Sequence, residues 1–462
     1  MVLEQLNYTY SGTTGQLTTV QMSRNGSAVR SLTFEYYDGT TSFGRAGDLA
    51  RVTVTEGTTA VDHKLYRYDP TTGLLLYVIE GASYEKLLVA NGGVDPINSS
   101  TAPVSQYADY AFTYYGPADG AKNGKVKTQK LNGGTYTYTY DYLADTGAMG
   151  LATWRYKTLE TLPDGNTNTV YTNYAGEVIL KVFNDVSDPG NPSLAGKQWA
   201  TAFNYDAAGR VTLAAEPSGV TTTAAAGQPV VLTDVTVTPF VTWYLNAAGL
   251  EHLTDYYTTS PIGYEHDTYL RQGYSGNGVI QTTETYTSRT GGGITVYPLA
   301  SDTVYRNADG SGGETTNYAY TWQGTTVRAQ SETVTYPTAT ANSAGFPSPS
   351  GENGDGTQDT QTMYLDAFGR VMWSKDPDGF IRYVAHDDAT GAVIKTIDDV
   401  NTADTGDFTG LPTGWTTPAG GGLELNTLTT VDELGRPTSV VDPNNQTTTT
   451  QYIDNATVSE VI

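Results

Sequence analysis

Chemistry at a protein site needs a nucleophile, a base or a set of ligands, and this chain offers few of them. Its four histidines, His63, His252, His266 and His386, are scattered, and no two stand at metal-ligand spacing. His266 lies between Glu265 and Asp267, a setting that could raise its pKa or hold a metal. A solvated charged edge accounts for the same three residues. His386 opens HDDATG, which aligns with YDPTTG at Tyr68, so it reads as a structural variant of an aromatic position. There is no cysteine, which excludes disulfides, thiolate catalysis and thiolate metal sites. No serine sits in a Gly-x-Ser-x-Gly elbow beside a histidine. Among 49 acids, nothing singles out a pair for glycoside hydrolysis. Calcium is the one cofactor with any footing, through Asn307–Glu314 (NADGSGGE) and Glu352–Asp359 (ENGDGTQD), where oxygen ligands crowd a glycine. Neither has the alternating acids and terminal Glu of a twelve-residue calcium loop, and polar turns explain both. Trp154, Trp199, Trp243, Trp322, Trp373 and Trp415 could stack on sugars, but they stand beside turns or in alternating segments, where packing is expected. The expectation is no catalytic residue, no cofactor and no metal.

Charge narrows the partners. With 25 Lys and Arg against 49 Asp and Glu, the formal charge is −24 over 462 residues, which argues against nucleic acid or an anionic membrane. The longest apolar stretch, Leu74–Ile79, is too short to span a bilayer. The opening MVLEQLNYTY lacks the basic and apolar regions of a signal peptide. Acidity without cysteine fits a bacterial surface or secreted protein. Its export information would then lie outside this chain, or the chain would be a piece of a longer one.

What could position such residues is a repeat. Three segments share one grammar: DAAGRVTLAAEPSG from Asp206, DAFGRVMWSKDPDG from Asp366 and DELGRPTSVVDPNN from Asp432. Each runs from an Asp through Gly-Arg (Gly209-Arg210, Gly369-Arg370, Gly435-Arg436) to an acid-Pro pair ending at Pro217, Pro377 or Pro443. Two places later stands Gly219, Gly379 or Asn445, ten residues after the first glycine in all three. Gly and Asn are the residues that tolerate positive φ, so two left-handed turns flanking a short strand are expected. The Asp would accept from turn amides, and Pro would preset the second turn.

This grammar resembles the YD-repeat, or Rhs-repeat, family, whose hallmark is Tyr-Asp-x-x-Gly-Arg followed by Asp-Pro-x-Gly. Tyr205-Asp206 is the fullest match; Leu365 and Val431 hold the Tyr position in the other two units. Weaker units begin at Tyr68, Leu162 and His386. The resemblance implies an all-β array of hairpins forming one long curved sheet, part of a hollow shell, tube or fibre, as in Rhs toxins, toxin-complex components, wall-associated proteins and teneurins. It also raises an aspartyl self-cleavage element. Here Asp376-Pro377-Asp378-Gly379 leads into Phe380 and a further repeat, and Asp442-Pro443 leads into Asn444-Asn445-Gln446, so both read as ordinary turns.

Composition supports the β reading. Gly (51) and Pro (20) punctuate short segments, Tyr (35) is heavy, and TYTYTYDY over residues 135–142 alternates strictly. No run of ten or more residues has helical periodicity. The expected organisation is one continuous array over residues 1–462, degenerate over 1–200 and clearer over 201–462. Gly39–Asp48, Gly92–Tyr107, Ala339–Asp359 and Asn401–Gly422 read as surface-loop insertions. The leading functional expectation is a structural, non-enzymatic scaffold that encloses, displays or adheres. Its partners would be further repeats of a longer polypeptide or copies of itself, with glycans or an enclosed cargo beyond these. A shell segment of a toxin-delivery protein, sequestering a C-terminal toxin, comes second, and a carbohydrate-binding β-solenoid third.

Overall fold

A computed structural model describes residues 4–24, 26–186, 196–338, 358–454 and 459–461. The protein is all-β, 49% strand against 7% helix, and 27 of its strands form one antiparallel sheet that does not close. The strands meander: along most of the chain a strand pairs with its successor, from Glu4–Tyr10 against Leu17–Arg24 to Pro437–Val441 against Thr447–Thr449. Two of the excursions from the ladder carry short strands of their own. Residues 216–249 depart between Val211–Ala215 and Leu250–Tyr256, which pair with each other. A small hairpin, Arg289–Gly291 with Ile294–Val296, stands between Gly278–Tyr286 and Leu299–Tyr305.

One irregularity recurs where a hairpin closes. The register slips by a residue on reaching Tyr10, Tyr36, Tyr68, Tyr114, Tyr256 and Tyr286. The same slip occurs on reaching Trp322, Leu365, His386 and Val431. An extra residue of this kind sharpens the local twist and re-aims the side chain. The re-aimed tyrosines serve as latches. The hydroxyls of Tyr36, Tyr114 and Tyr256 donate to the carbonyls of Leu17, Leu75 and Val211 at 2.7, 2.6 and 2.9 Å. Each acceptor is the first residue of a strand that follows a turn. The next tyrosine along reaches the other way: Tyr37, Tyr115 and Tyr257 donate to the carbonyls of Tyr66, Tyr140 and Glu284. A Tyr-Tyr pair thus ties one hairpin to strands on both sides, which gives the heavy tyrosine content a structural purpose.

Contacts group the chain into two compact units, one of residues 1–202, 231–242 and 450–462, the other of 203–230 and 243–449. In the first, Leu65, Ile79, Tyr84, Leu87, Val104 and Ala108 form a buried cluster. In the second, Trp373, Ile381, Tyr383, Ile397, Val400, Phe408 and Trp415 do so.

These clusters correct two expectations. A ten-residue α-helix, Gly81–Ala90, exists despite the missing periodicity. Only Tyr84 and Leu87 are buried on it, a single turn's worth of pattern, and no side chain at its N-cap announces it. Its start is held from 29 residues away, where the Asp109 carboxylate accepts from Glu80 N at 2.7 Å and from Ser83 Oγ at 2.8 Å. Two of the expected surface loops also fold inward. Pro96 and Val104 in the 92–107 segment are buried, and Phe408 and Trp415 in the 401–422 segment complete the second core. The 401–422 segment is cinched by Asp399, whose carboxylate accepts from Gly422 N and Leu423 N at 2.7 and 2.9 Å. Its few apolar residues are spaced by Gly and Pro and show no period, yet a sheet face needs only a handful of rings to cover it. Residues 39–48 remain a loop, closed by Tyr37 N to Asp48 O at 2.9 Å. Of the 339–359 insertion, residues 339–357 lie outside the described residues.

Candidate functional site

The most repeated chemistry is a turn clasp. In Asp206, Asp366 and Asp432, Oδ1 accepts the amides two and four residues on, at 2.8–3.0 Å. Oδ2 accepts Nε of Arg210, Arg370 or Arg436 at 2.8, 2.7 and 2.7 Å. The intervening Gly209, Gly369 and Gly435 have φ of 80°, 84° and 79°, the left-handed region where a Cβ is strained. Tyr205 is the last residue of the strand leading into the first clasp. Hydrogen bonds from Arg210 hold the Asp206 carboxyl below its usual range. For Asp366 and Asp432, burial pushes upward but the arginine and turn amides outweigh it, so both carboxyls lie low as well.

The second turn of each unit is more varied. Gly379 and Asn445 take φ of 90° and 61° after Pro377 and Pro443. Oδ1 of Asp442 accepts Asn444 N and Gln446 N at 2.9 and 2.8 Å, and Oδ1 of Asp376 accepts Phe380 N at 2.8 Å. Gly219 departs from the expectation: its φ is not positive, and it ends a short 3-10 turn over Pro217–Gly219. Here Glu216 replaces Asp, and residues 220–249 are inserted where the hairpin would return. Glu216 N instead meets Leu250 O at 2.9 Å. Glycine is required at 219 for space, since a Cβ would lie 2.7 Å from Leu250 O.

Other residues with chemical potential are engaged in the fold. His266 Nδ1 lies 2.9 Å from Asp267 Oδ2, but Asp267 also takes Thr283 Oγ1 at 2.6 Å and the Tyr269 hydroxyl at 3.1 Å. His386 occupies one of the slipped positions otherwise held by tyrosine, and burial with Arg370 nearby keeps its pKa low. His63 stacks on Tyr84 with 4.6 Å between ring centres, and His252 faces Glu216 at 3.5 Å. In the 307–314 loop, Asp309 Oδ1 is taken by Ser311 N and Oγ, and Glu314 pairs with Arg306. Most of the 352–359 loop lies outside the described residues. Among those described, no three His, Asp or Glu side chains gather as a metal set. Trp154, Trp243, Trp373 and Trp415 are buried, Trp199 packs on Phe183, and Trp322 packs on Tyr320.

Two features escaped sequence reading because they join distant segments. One is a pair of open clefts, about 380 and 440 Å³, that share Glu80 and Asp109 at the start of the helix. Tyr110, Tyr136 and Tyr138 wall one; Asp62, His63 and Lys64 wall the other. The carboxylates here are already committed, Asp109 to the helix start and Glu80 to Lys64 at 2.7 Å. The other feature is a buried ion pair, Lys157 Nζ to Asp234 Oδ2 at 2.7 Å, with side chains 10% and 3% exposed. Oδ2 also accepts the Tyr171 hydroxyl at 2.7 Å. Oδ1 accepts Thr236 N at 2.9 Å and Thr236 Oγ1 at 2.5 Å. Trp154 closes the pocket edge-on to Tyr171 and donates Nε1 to Thr233 O at 2.9 Å. Burial pushes the Asp234 carboxyl upward, but its hydrogen bonds from Lys157, Thr236 and Tyr171 win and bring it below the usual range. The Tyr171 phenol is driven up by burial and by Asp234.

No family model matches the chain, and no curated protein matches it, so the YD-repeat relationship stays a resemblance carried by the turns. Among solved structures the chain is similar to the crystal structure of TcdB2-TccC3, at 12% identity and a TM-score of 0.33, over 99% of this chain and 21% of that one. It is also similar to the Photorhabdus luminescens Tc holotoxin pore carrying a TccC3 mutation, at 12% identity and a TM-score of 0.31, over 100% of this chain and 22% of that one. The chain thus spans about a fifth of the length of these solved chains.

Proposed function

We propose that the chain is a non-catalytic scaffold of a bacterial surface or secreted protein, a wall of hairpins that encloses, displays or adheres. The observation that carries this reading is where the reactive groups are spent. The clasp aspartates, the 307–314 acids and the His266–Asp267 pair each serve a turn or a strand pairing. Such chemistry builds a sheet.

The partners that suit it are more of the same sheet. The strand Glu4–Tyr10 is paired on one side, by Leu17–Arg24, and carries Leu6, Tyr8 and Tyr10 more than half exposed. A strand edge with open backbone groups pairs readily with another strand. Repeats of a longer polypeptide, or a second copy of this chain, would cover it. Sedimentation velocity of the purified chain at low and high salt tests this. Self-association that survives high salt is expected, because backbone hydrogen bonds are screened far less than surface charge. A strictly monomeric species whose first strand is nevertheless protected from amide exchange would refute it. Hydrolysis of a peptide or glycan, abolished by one carboxylate substitution, would refute the non-catalytic reading. A gene continuing into a variable toxin-like domain would make the same scaffold the wall of a delivery protein.

A further inference from the structure

We propose that Lys157 and Asp234 form an intramolecular amide crosslink, so that the inserted segment carrying Asp234 is bonded covalently to the sheet strand carrying Lys157. Four observations converge on this pair. The reacting groups are already in contact, Nζ to Oδ2 at 2.7 Å, and both side chains are at least nine-tenths buried. The two carboxylate oxygens are held differently. Oδ1 sits against the backbone N–H and hydroxyl of Thr236, and Oδ2 receives Tyr171 and Lys157. Two aromatic rings, Trp154 and Tyr171, shield the pocket. The chain has no cysteine and so no disulfide to tie these segments.

The reaction is a condensation that needs no oxidant or co-reactant. One proton first crosses the 2.7 Å contact from Nζ to Oδ2, turning ammonium and carboxylate into amine and acid, an uphill transfer because the contacts to Asp234 favour its ionised form. The Nζ lone pair then attacks Cγ. Negative charge develops on Oδ1, where Thr236 N and Oγ1 already point, the arrangement that stabilises such an intermediate. Oδ2, hydrogen-bonded by the Tyr171 hydroxyl, takes a second proton from the attacking nitrogen and leaves as water. A C–N bond forms, a C–O bond breaks, and one water is lost. Water exclusion by Trp154 and Tyr171 favours the amide over its hydrolysis. The bond would bridge positions 77 residues apart, so the strand at Val230–Asp234 could not peel from the sheet without breaking a covalent link.

Mass spectrometry of the denatured full chain decides the matter. The wild-type protein, held folded at neutral pH, is expected to weigh one water less than its sequence. Proteolysis should give one branched peptide joining Lys157 to Asp234. The Lys157→Arg variant should keep its full mass. Asp234→Asn should lose ammonia instead of water and converge on the same linked mass. Tyr171→Phe should slow the linkage by about tenfold or more, which a merely structural loss of one hydroxyl would not do. A wild-type protein at full sequence mass, with both peptides linear, would show an ion pair only and overturn the proposal. One water lost elsewhere, with Lys157 and Asp234 unlinked, would overturn it equally.

Discussion

The clasp at Asp366 can be tested quantitatively through Asp366→Ala. The substitution removes three bonds: Phe368 N and Arg370 N, each at 2.9 Å, and Arg370 Nε at 2.7 Å. The Phe368 amide is exposed, so water replaces its partner and the loss is small, about 0.5 kcal/mol. The Arg370 amide is half-buried and costs about 1 kcal/mol. The ion pair, 17% and 24% exposed, adds about 0.5–1 kcal/mol after discounting for solvent. The total is about 2–2.5 kcal/mol. A chain of two compact units is not expected to unfold in one step, so a global midpoint is the wrong readout. Local opening is the right one. Amide exchange over residues 364–373 should accelerate by roughly 30–60-fold, since about 1.4 kcal/mol is tenfold. The clasp at Asp206 should be unchanged and serves as an internal control. Asp366→Asn, which keeps an oxygen for the two amides, should cost only the ion pair, about 0.5–1 kcal/mol. Acceleration below roughly twofold, or equal loosening at Asp206, would refute the assignment of the carboxylate as the turn's organising group.

Four further outcomes follow from the same geometry. The clasp carboxyls of Asp206, Asp366 and Asp432 are depressed, so their contribution is complete above the ordinary carboxylate range and lost as pH falls through their lower folded values. Glu265 and Asp302 are raised by burial and by Glu284, so they protonate sooner when folded and their strands should gain stability as pH falls toward that range. Exchange of the two regions followed against pH should therefore move in opposite directions. Gly435→Ala should cost about 1 kcal/mol more than Gly369→Ala in a comparison of local exchange: both have positive φ, but a Cβ at 435 meets Thr390 Cβ at 3.0 Å and at 369 meets nothing within 4 Å. Tyr36→Phe should cost about 1 kcal/mol by removing the bond to Leu17 O, seen as faster exchange in Leu17–Arg24. Trp415→Ala should cost about 3–5 kcal/mol and expose Trp373 to solvent quenching, because the two share one buried cluster.

What the sequence made legible was local. An Asp-x-x-Gly-Arg segment carries its donors, acceptor and left-handed residue within five positions, so the whole clasp is written in one stretch. Alternation over 135–142 likewise places a strand, Tyr136–Ala144, from adjacent residues. Three of the failures are non-local. The helix Gly81–Ala90 depends on Asp109, the inward fold of 401–422 depends on a hydrophobic face supplied by Trp373 and Ile381, and the Lys157–Asp234 pair spans 77 residues. Gly219 misled for a different reason. It stands where Gly379 stands, but an insertion follows it, so the glycine answers to a close carbonyl and not to a left-handed turn.

The acidity of the chain then has a cause inside the fold. A net charge of −24 would ordinarily prompt a search for a cationic partner. Yet an aspartate at a hairpin turn satisfies backbone amides that the ladder cannot reach. Asp69, Asp387 and Asp442 organise turns in this way without an arginine following at the fourth position. Every added hairpin can therefore add a carboxylate, and a chain made of hairpins becomes acidic as it lengthens. Tyrosine accumulates by the same rule, one latch at a time, from each strand end to the start of an earlier strand. Turning the chain so often is thus one source of its acids, and each such acid has a task inside its own hairpin. Neutralising the exposed, unclasped acids should accordingly leave the hairpins intact, whereas neutralising the turn acids should open them one by one.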